Sequence, residues 1–421
     1  MEKYRLYRNI LCIDLKSFYA SVECALLGLD PFKTPLVVAD KSRGEGSIVL
    51  AVSPYLKNLG LPSRCRIYEL PTDTKIIFRK PQMKAYLEYS VKIIEIYLSF
   101  ISEEDLFIYS IDEAFLDLTE YISYYNKSDY EIAQMILAKI YEETKIFATC
   151  GIGKNMLMAK LALDLESKNA PNFIAKWTYE DIKTKLWPTS PLSKMWGIGK
   201  RLELRLNRLG LAKIGDIANY NLDILKRNFG IIGEELYYHS HGIDMSMIQE
   251  KQNRKIKQRS LGSGQTLFFD YFPPMIFLII REMADDISHR LRKMNITAKT
   301  IYLSIGYSKT VGGGFSKQFT LDYPTSSSST IYDYLIYLFH KHYEDEPIRR
   351  VSVAVTNLTK QNFYQFSLFE DENILKNEHL LGQTIDEIKQ KYGKNSINRA
   401  QTELEGSTLK SRNEMIGGHH E

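Results

Sequence analysis

The chain has 421 residues, 44% hydrophobic and 25% charged, which excludes a disordered or collagen-like protein and leaves room for two to four domains with sizeable cores. A net charge of +4 is too small to mark a nucleic-acid binder by composition, so such a signal must lie in how the cations are grouped. Four cysteines without CxxC spacing, no signal-peptide core at the N-terminus and no apolar run near the ~18 residues of a membrane span predict a reduced, cytoplasmic protein with no membrane partner.

Residues 9–13, Asn-Ile-Leu-Cys-Ile, are a short apolar run ending at Asp14, the pattern of a buried strand with a carboxylate at its tip. Phe18 to Leu27 reads as a helix, and 36–39 and 48–52 as strands around a polar turn. Leu87, Val91, Ile94, Leu98 and Ile101 recur at spacings of four and three, which predicts a helix buried on that face. In 106–118 the pair Asp112-Glu113 stands between two apolar runs, as in a strand–turn–strand unit with acids at the bend. Residues 131–145 and 154–168 read as helices, and 193–247 as short helices broken by glycines.

Between 248 and 259, Lys251, Arg254, Lys255, Lys257 and Arg259 crowd a polar stretch without apolar periodicity, a basic linker. Strands are predicted at 260–268, 300–306, 315–321 and 350–357. Helices are marked by Ile276, Ile280, Met283, Ile287 and Leu291, and by Ile331, Leu335 and Leu338. The order β-α-β-β-α-β is that of a ferredoxin-like unit. The polar residues beyond 370 read as partly disordered.

The three acids carry the chemical reading. Transfer of a nucleotidyl group requires in-line attack on a phosphorus that already bears negative charge, and a pair of divalent cations can neutralise the attacking and leaving oxygens. Magnesium takes oxygen ligands and keeps waters, so a few carboxylates plus substrate phosphates suffice.

The segments Asp14-Leu15-Lys16-Ser17-Phe18-Tyr19-Ala20-Ser21-Val22-Glu23 and Tyr109-Ser110-Ile111-Asp112-Glu113-Ala114-Phe115-Leu116-Asp117-Leu118 resemble the Y-family DNA polymerases. The second reads SIDEAFLDL, a highly specific match, and the resemblance runs over about residues 9 to 370, closest to the UmuC/UvrX branch of Gram-positive bacteria. It implies an α+β right-hand architecture: a ferredoxin-like palm at 1–14 and 82–175, small fingers at 15–81, a helix-hairpin-helix thumb at 176–247, the linker at 248–259, a ferredoxin-like little finger at 260–361 and a tail at 362–421.

The same resemblance implies roles. Asp14, Asp112 and Glu113 are the catalytic acids and, with the Leu15 carbonyl, hold two Mg2+ ions. Tyr19 is the steric gate under the nucleotide sugar. Lys57 and Lys168 hold the triphosphate, while Lys160 is nearer a structural position. Many relatives carry a tyrosine three residues before the basic residue at 57, where this chain has Pro54. Trp196-Gly197-Ile198-Gly199-Lys200 resembles the thumb hairpin, so Gly197, Gly199 and Lys200 approach DNA phosphates, joined by Lys255, Lys257 and Arg259 of the linker. Gln365-Phe366-Ser367-Leu368-Phe369 resembles the peptide that docks on the sliding (beta) clamp.

The implied activity is error-prone, lesion-bypassing DNA synthesis without proofreading. Its partners are primer–template DNA, dNTP, the clamp and an accessory protein of the UmuD or RecA type. Two rivals remain at this stage: a non-catalytic scaffold for DNA and clamp, and another palm-type enzyme such as a nucleotide cyclase.

Overall fold

The computed structural model describes residues 1–72, 75–253, 260–360, 372–416 and 419–420. Lys255, Lys257 and Arg259 of the linker and the Gln365–Phe369 peptide lie outside the described residues. The chain divides into two compact units, Met1–Lys255 and Ile256–His420.

The first unit begins with β1 (Ile10–Leu15) and α1 (Phe18–Leu26), then β2 (Leu36–Val38), β3 (Ala51–Val52), α2 (Pro54–Asn58) and β4 (Ile77–Arg79). These last strands form a small sheet in the order β3-β2-β4 over a core that includes Val37, Val52, Leu56 and Ile67. There follow α3 (Met83–Leu98), β5 (Leu106–Ile108), β6 (Glu113–Asp117), α4 (Tyr121–Tyr125), α5 (Asp129–Thr144), β7 (Ala148–Gly153), α6 (Met156–Leu165) and β8 (Ile174–Lys176). The main sheet runs β5-β6-β1-β7-β8, so β1 is central and antiparallel to both neighbours. A strand in that position is buried on both faces, which is why 10–13 reads as an unbroken apolar run.

Helix α6 lies against the face of the sheet that carries Ile10, Cys12 and Phe115. Its close approach has a cause in sequence. A Cβ on Gly151 would come within 2.1 Å of the Ala159 carbonyl, and one on Gly153 within 2.3 Å of the Ala159 nitrogen. Alternate residues of a strand share a face, so the two glycines open one strip of β7 to the helix backbone. We expect Gly151→Ala to cost about 1–3 kcal/mol or more by overpacking against backbone that cannot yield. A fall in the thermal unfolding midpoint checks it; an unchanged midpoint would show that α6 can move off the sheet.

Helices α7 (Lys200–Asn207), α8 (Ile214–Ala218), α9 (Leu222–Phe229) and α10 (Ile231–Ser240) are short and share one core, with Leu206, Ile214, Ile217 and Leu225 at its centre. Next comes α11 (Ile248–Asn253). Here the linker reading needs correction. Its first residues are helical, with Ile248 buried beside Phe107 and Gln249 donating to Asp105 at 2.7 Å. One apolar anchor suffices where a neighbouring strand supplies the rest of the contact, and periodicity over 248–253 was too short to show it.

The second unit runs β9 (Ser260–Tyr271), α12 (Met275–Lys293), β10 (Ile296–Tyr307), β11 (Gly314–Thr325), α13 (Ser328–His342) and β12 (Ile348–Lys360). Its antiparallel sheet has the order β11-β10-β12-β9, with both helices packed on it in a single core. Among the described residues beyond 370, the polar stretch 372–416 is folded, where partial disorder is expected from sequence. Helix α14 (Glu372–Tyr392) and the segment after it dock on this unit through polar contacts. Arg292 grips Asp386 with two bonds of 2.7 and 3.0 Å, Glu378 accepts from Ser327 and Ser329, Arg399 pairs with Asp285, and Ser407 and Thr408 donate to Glu282. Hydropathy could not reveal a segment held mainly by charge and hydroxyl pairing.

Among the described residues, no helix is long and apolar enough to cross a membrane.

Candidate active site

Asp14 stands near the end of β1, directly opposite Glu113, the first residue of β6. Opposed residues of antiparallel strands carry Cβ atoms ~5 Å apart on one face, so the register alone brings these two carboxylates together. Asp112 precedes Glu113 at the bend, and the bend is tied down on two sides. The Leu15 N–H donates to the Asp112 carbonyl at 2.9 Å, and Ser90 Oγ of α3 donates to the Ile111 carbonyl at 2.7 Å. Thr149 Oγ1 reaches the Asp14 carbonyl from β7 at 3.3 Å.

Each acid has a partner. Asp112 accepts from Ser110 Oγ at 2.6 Å. Glu113 accepts from Lys160 Nζ at 2.9 Å and from the Cys12 thiol at 3.2 Å. Lys160 also pairs with Asp164 at 3.1 Å and is nearly buried. Lys168 stands 3.6 Å from Asp14 and 2.9 Å from Asp164. Burial pushes the Asp14 carboxyl up to about 6; Lys168 opposes this, and the neighbouring charges of Asp112 and Glu113 add to it.

Among the described residues, no three His, Cys, Asp or Glu side chains close on one another tightly enough to enclose a metal by themselves. The donor set nevertheless suits a hard cation: the carboxylates of Asp14, Asp112 and Glu113 gather at one strand end and the bend beside it. Such a cation completes its shell with water and substrate phosphates instead of an all-protein cage.

Cations converge on the same place. Burial pulls the Lys57 ammonium below its ordinary pKa, Asp14 opposes this, and Lys168 lowers it further. Lys16, at the start of the loop into α1, is likewise lowered by burial and then by Lys57 and Lys168; its Nζ donates to the Lys168 carbonyl at 3.3 Å and lies 4.1 Å over the Phe173 ring. Lys168 is pulled down by burial, but Asp14 and Asp164 outweigh that and it ends above the ordinary value. Three lysines that feel one another across an acid make a ready anion cradle. Lys16 is not singled out by the sequence as a triphosphate candidate, because nothing within the Asp14–Glu23 segment separates it from its neighbours. Pro54 takes the first turn of α2, where its missing N–H costs nothing.

Tyr19 lies on α1 with its ring stacked on Tyr86 of α3, 4.5 Å between centroids at 17°. The predicted face of α3 is corrected here. Of the predicted face, Leu87, Val91 and Leu98 are exposed and Ile94 is half-buried, while Ile101, beyond the helix, is buried; within α3 the buried residues are Met83, Tyr86, Ser90, Ile93, Ile96 and Tyr97. The buried stripe contains Tyr86 and Ser90, whose polar ends are bonded inside the protein, so hydropathy pointed to the wrong side of the helix. Ser90 and Tyr86 are site residues that the sequence pattern hid for this reason.

In the segment before α7, Gly197 has a positive φ of 91°, and a Cβ at Gly197 or Gly199 would meet nothing within 4 Å. The hairpin therefore offers open backbone just before α7, and Lys200 is exposed at the helix start. The Trp196 Nε1–H donates to the Tyr109 hydroxyl at 3.2 Å, joining the hairpin to the strand pair that carries the acids.

Three family models match the chain: the impB/mucB/samB family over residues 13–164, the IMS family HHH motif over 179–211 and the impB/mucB/samB family C-terminal domain over 258–368. A protein of Bacillus subtilis (strain 168) named for UV-damage repair, UvrX, is 41% identical over 98% of this chain and 97% of its own. The chain belongs to the Y family of DNA polymerases. A second relative, DNA polymerase IV 2 of the same organism, is 32% identical to this polymerase over 98% of both chains. Among solved structures, a Y-family DNA polymerase chimera of 22% sequence identity matches with a TM-score of 0.66, covering 84% of this chain and 99% of its own, a likeness of fold. The right-hand, α+β architecture read from the sequence is therefore that of this polymerase.

Proposed function

We propose that this polymerase performs error-prone synthesis past damaged template bases, adding dNTP to a primer 3′-OH by a two-metal mechanism. The supporting observation is the facing pair Asp14 and Glu113, with Asp112 beside them and Lys16, Lys57 and Lys168 gathered around Asp14. Asp14, Asp112, Glu113 and the Leu15 carbonyl would hold two Mg2+ ions, which when bound supply positive charge to the attacking and leaving oxygens. The lysines bind the β- and γ-phosphate oxygens and orient the triphosphate for in-line attack.

Tyr19 closes the floor under the sugar, where its ring leaves no room for a 2′-hydroxyl. Palm (1–14, 82–175), fingers (15–81), thumb (176–247) and little finger (260–361) follow the boundaries read from sequence. The small fingers sheet, β3-β2-β4, tests base-pair shape loosely, which suits damaged templates. Gly197, Gly199 and Lys200 hold duplex phosphates, with Lys255, Lys257 and Arg259 extending the grip. The peptide Gln365–Phe369 docks on the sliding clamp, and a UmuD- or RecA-type protein acts as accessory. The working compartment is the cytoplasm.

The test is primer extension by the purified chain with magnesium, on templates with and without a lesion. Synthesis past the lesion that requires both template and metal supports the proposal. Nucleotide turnover independent of template would favour a cyclase-like enzyme instead. Phosphate-dominated DNA binding should also weaken by about 10³-fold or more between 50 and 200 mM salt.

A further inference from the structure

Glu23 is fully buried, which for a carboxylate demands compensation on every side. It lies four residues after Tyr19 on α1, hence on the same helix face. Four contacts satisfy it. Arg79 Nε, at the end of β4, donates at 2.7 Å; Gln82 Nε2, just before α3, donates at 3.0 and 3.1 Å; and the Tyr86 hydroxyl donates at 2.7 Å. Tyr86 is itself fully buried and is the ring on which Tyr19 stacks. One carboxylate thus gathers α1, the last fingers strand and the first turn of α3, and it fixes the far end of the ring that backs Tyr19.

We infer that Glu23 is a positioning residue for sugar selection, acting through Tyr86 to hold the Tyr19 ring in place. This rests on the reading of Tyr19 as the steric gate. Exclusion by clash is steep in distance, so a backing ring free to tilt or slide by a fraction of an ångström relaxes the gate without removing it. A hydroxyl bond to a charged acceptor that is held by Arg79 removes that freedom. The Arg79 and Gln82 contacts extend the effect: the point where the fingers rejoin the palm and the floor of the sugar site are held by one group.

The test compares kcat/KM for dNTP with that for the matching ribonucleotide on an undamaged primer–template. The variants are Tyr86→Phe, which keeps the ring and loses only the bond, Glu23→Gln, which keeps the shape and loses the charge, and Tyr19→Ala as reference. All are checked for folding by thermal unfolding. The deoxy-to-ribo ratio should fall by about tenfold in Tyr86→Phe and Glu23→Gln and further in Tyr19→Ala, the fall coming from better use of the ribonucleotide. If Tyr19→Ala lowers the ratio but folded Tyr86→Phe does not, the brace inference is overturned and the gate stands. Parallel losses for both nucleotides with an unchanged ratio overturn it equally. If Tyr19→Ala leaves the ratio unchanged, the gate reading itself fails. Should Glu23→Gln not fold, Tyr86→Phe, which deletes a single hydroxyl, decides the matter.

Discussion

Asp112→Ala should abolish templated primer extension with magnesium, by more than about 10³-fold in kcat/KM, while leaving the protein folded. The Asp112 side chain does little else. Its carboxylate accepts from Ser110 Oγ at the bend, and the backbone contacts that hold the bend, from Leu15 N–H and Ser90 Oγ, go to carbonyls that alanine retains. On the proposed two-metal reading, what is lost is one of the three site acids, and with it a ligand for the cations that the reaction would use. Primer extension under single-turnover conditions measures it, with the thermal midpoint as control. Near-normal extension by a folded Asp112→Ala protein would sink the catalytic assignment.

Lys160→Met should have the largest effect on stability. Lys160 and Glu113 side chains are each 9% exposed and 2.9 Å apart, and Asp164 is 3.1 Å from the same ammonium. Burial works against the lysine's charge, yet the Glu113 hydrogen bond and Asp164 keep its pKa above the ordinary value, so it stays protonated. Removing it strands Glu113 opposite Asp14, while Asp164 keeps Lys168 at 2.9 Å. Uncompensated buried charge of this kind costs about 3–5 kcal/mol. Urea unfolding of the metal-free protein reads the loss. The double variant Lys160→Met/Glu113→Gln should recover part of that stability without recovering activity, because the stranded charge is gone but so is a site acid. A single variant as stable as the parent would mean that Glu113 does not depend on Lys160.

The legible part of the fold was the part built on apolar pattern. The strand before Asp14, the strand–turn–strand around Asp112 and Glu113, and the alternation of strands and helices from 260 to 360 all appear where periodicity placed them, with ends shifted by a few residues. Patterns failed where burial is polar. The wrong face was assigned to α3 because Tyr86 and Ser90 look like surface residues until Glu23 and the Ile111 carbonyl are seen to receive their hydrogens. The segment after 370 was read as loose for the same reason: its anchors, Glu378, Asp386 and Arg399, are charges that find partners on the neighbouring helices.

By itself the sequence determined the chemical inventory: which acids stand at strand ends and a bend, which aromatic follows the first of them, and the family to which those motifs belong. Only the tertiary structure decided register and neighbours, namely that Asp14 faces Glu113, that Lys160 guards Glu113 while Lys168 leans on Asp14, and that Tyr19 rests on a ring tethered to Glu23. The physical reason is range. Propensity and periodicity act over a few residues, whereas a buried carboxylate is satisfied by groups 56 to 63 positions away, and only the folded chain brings them within a hydrogen bond.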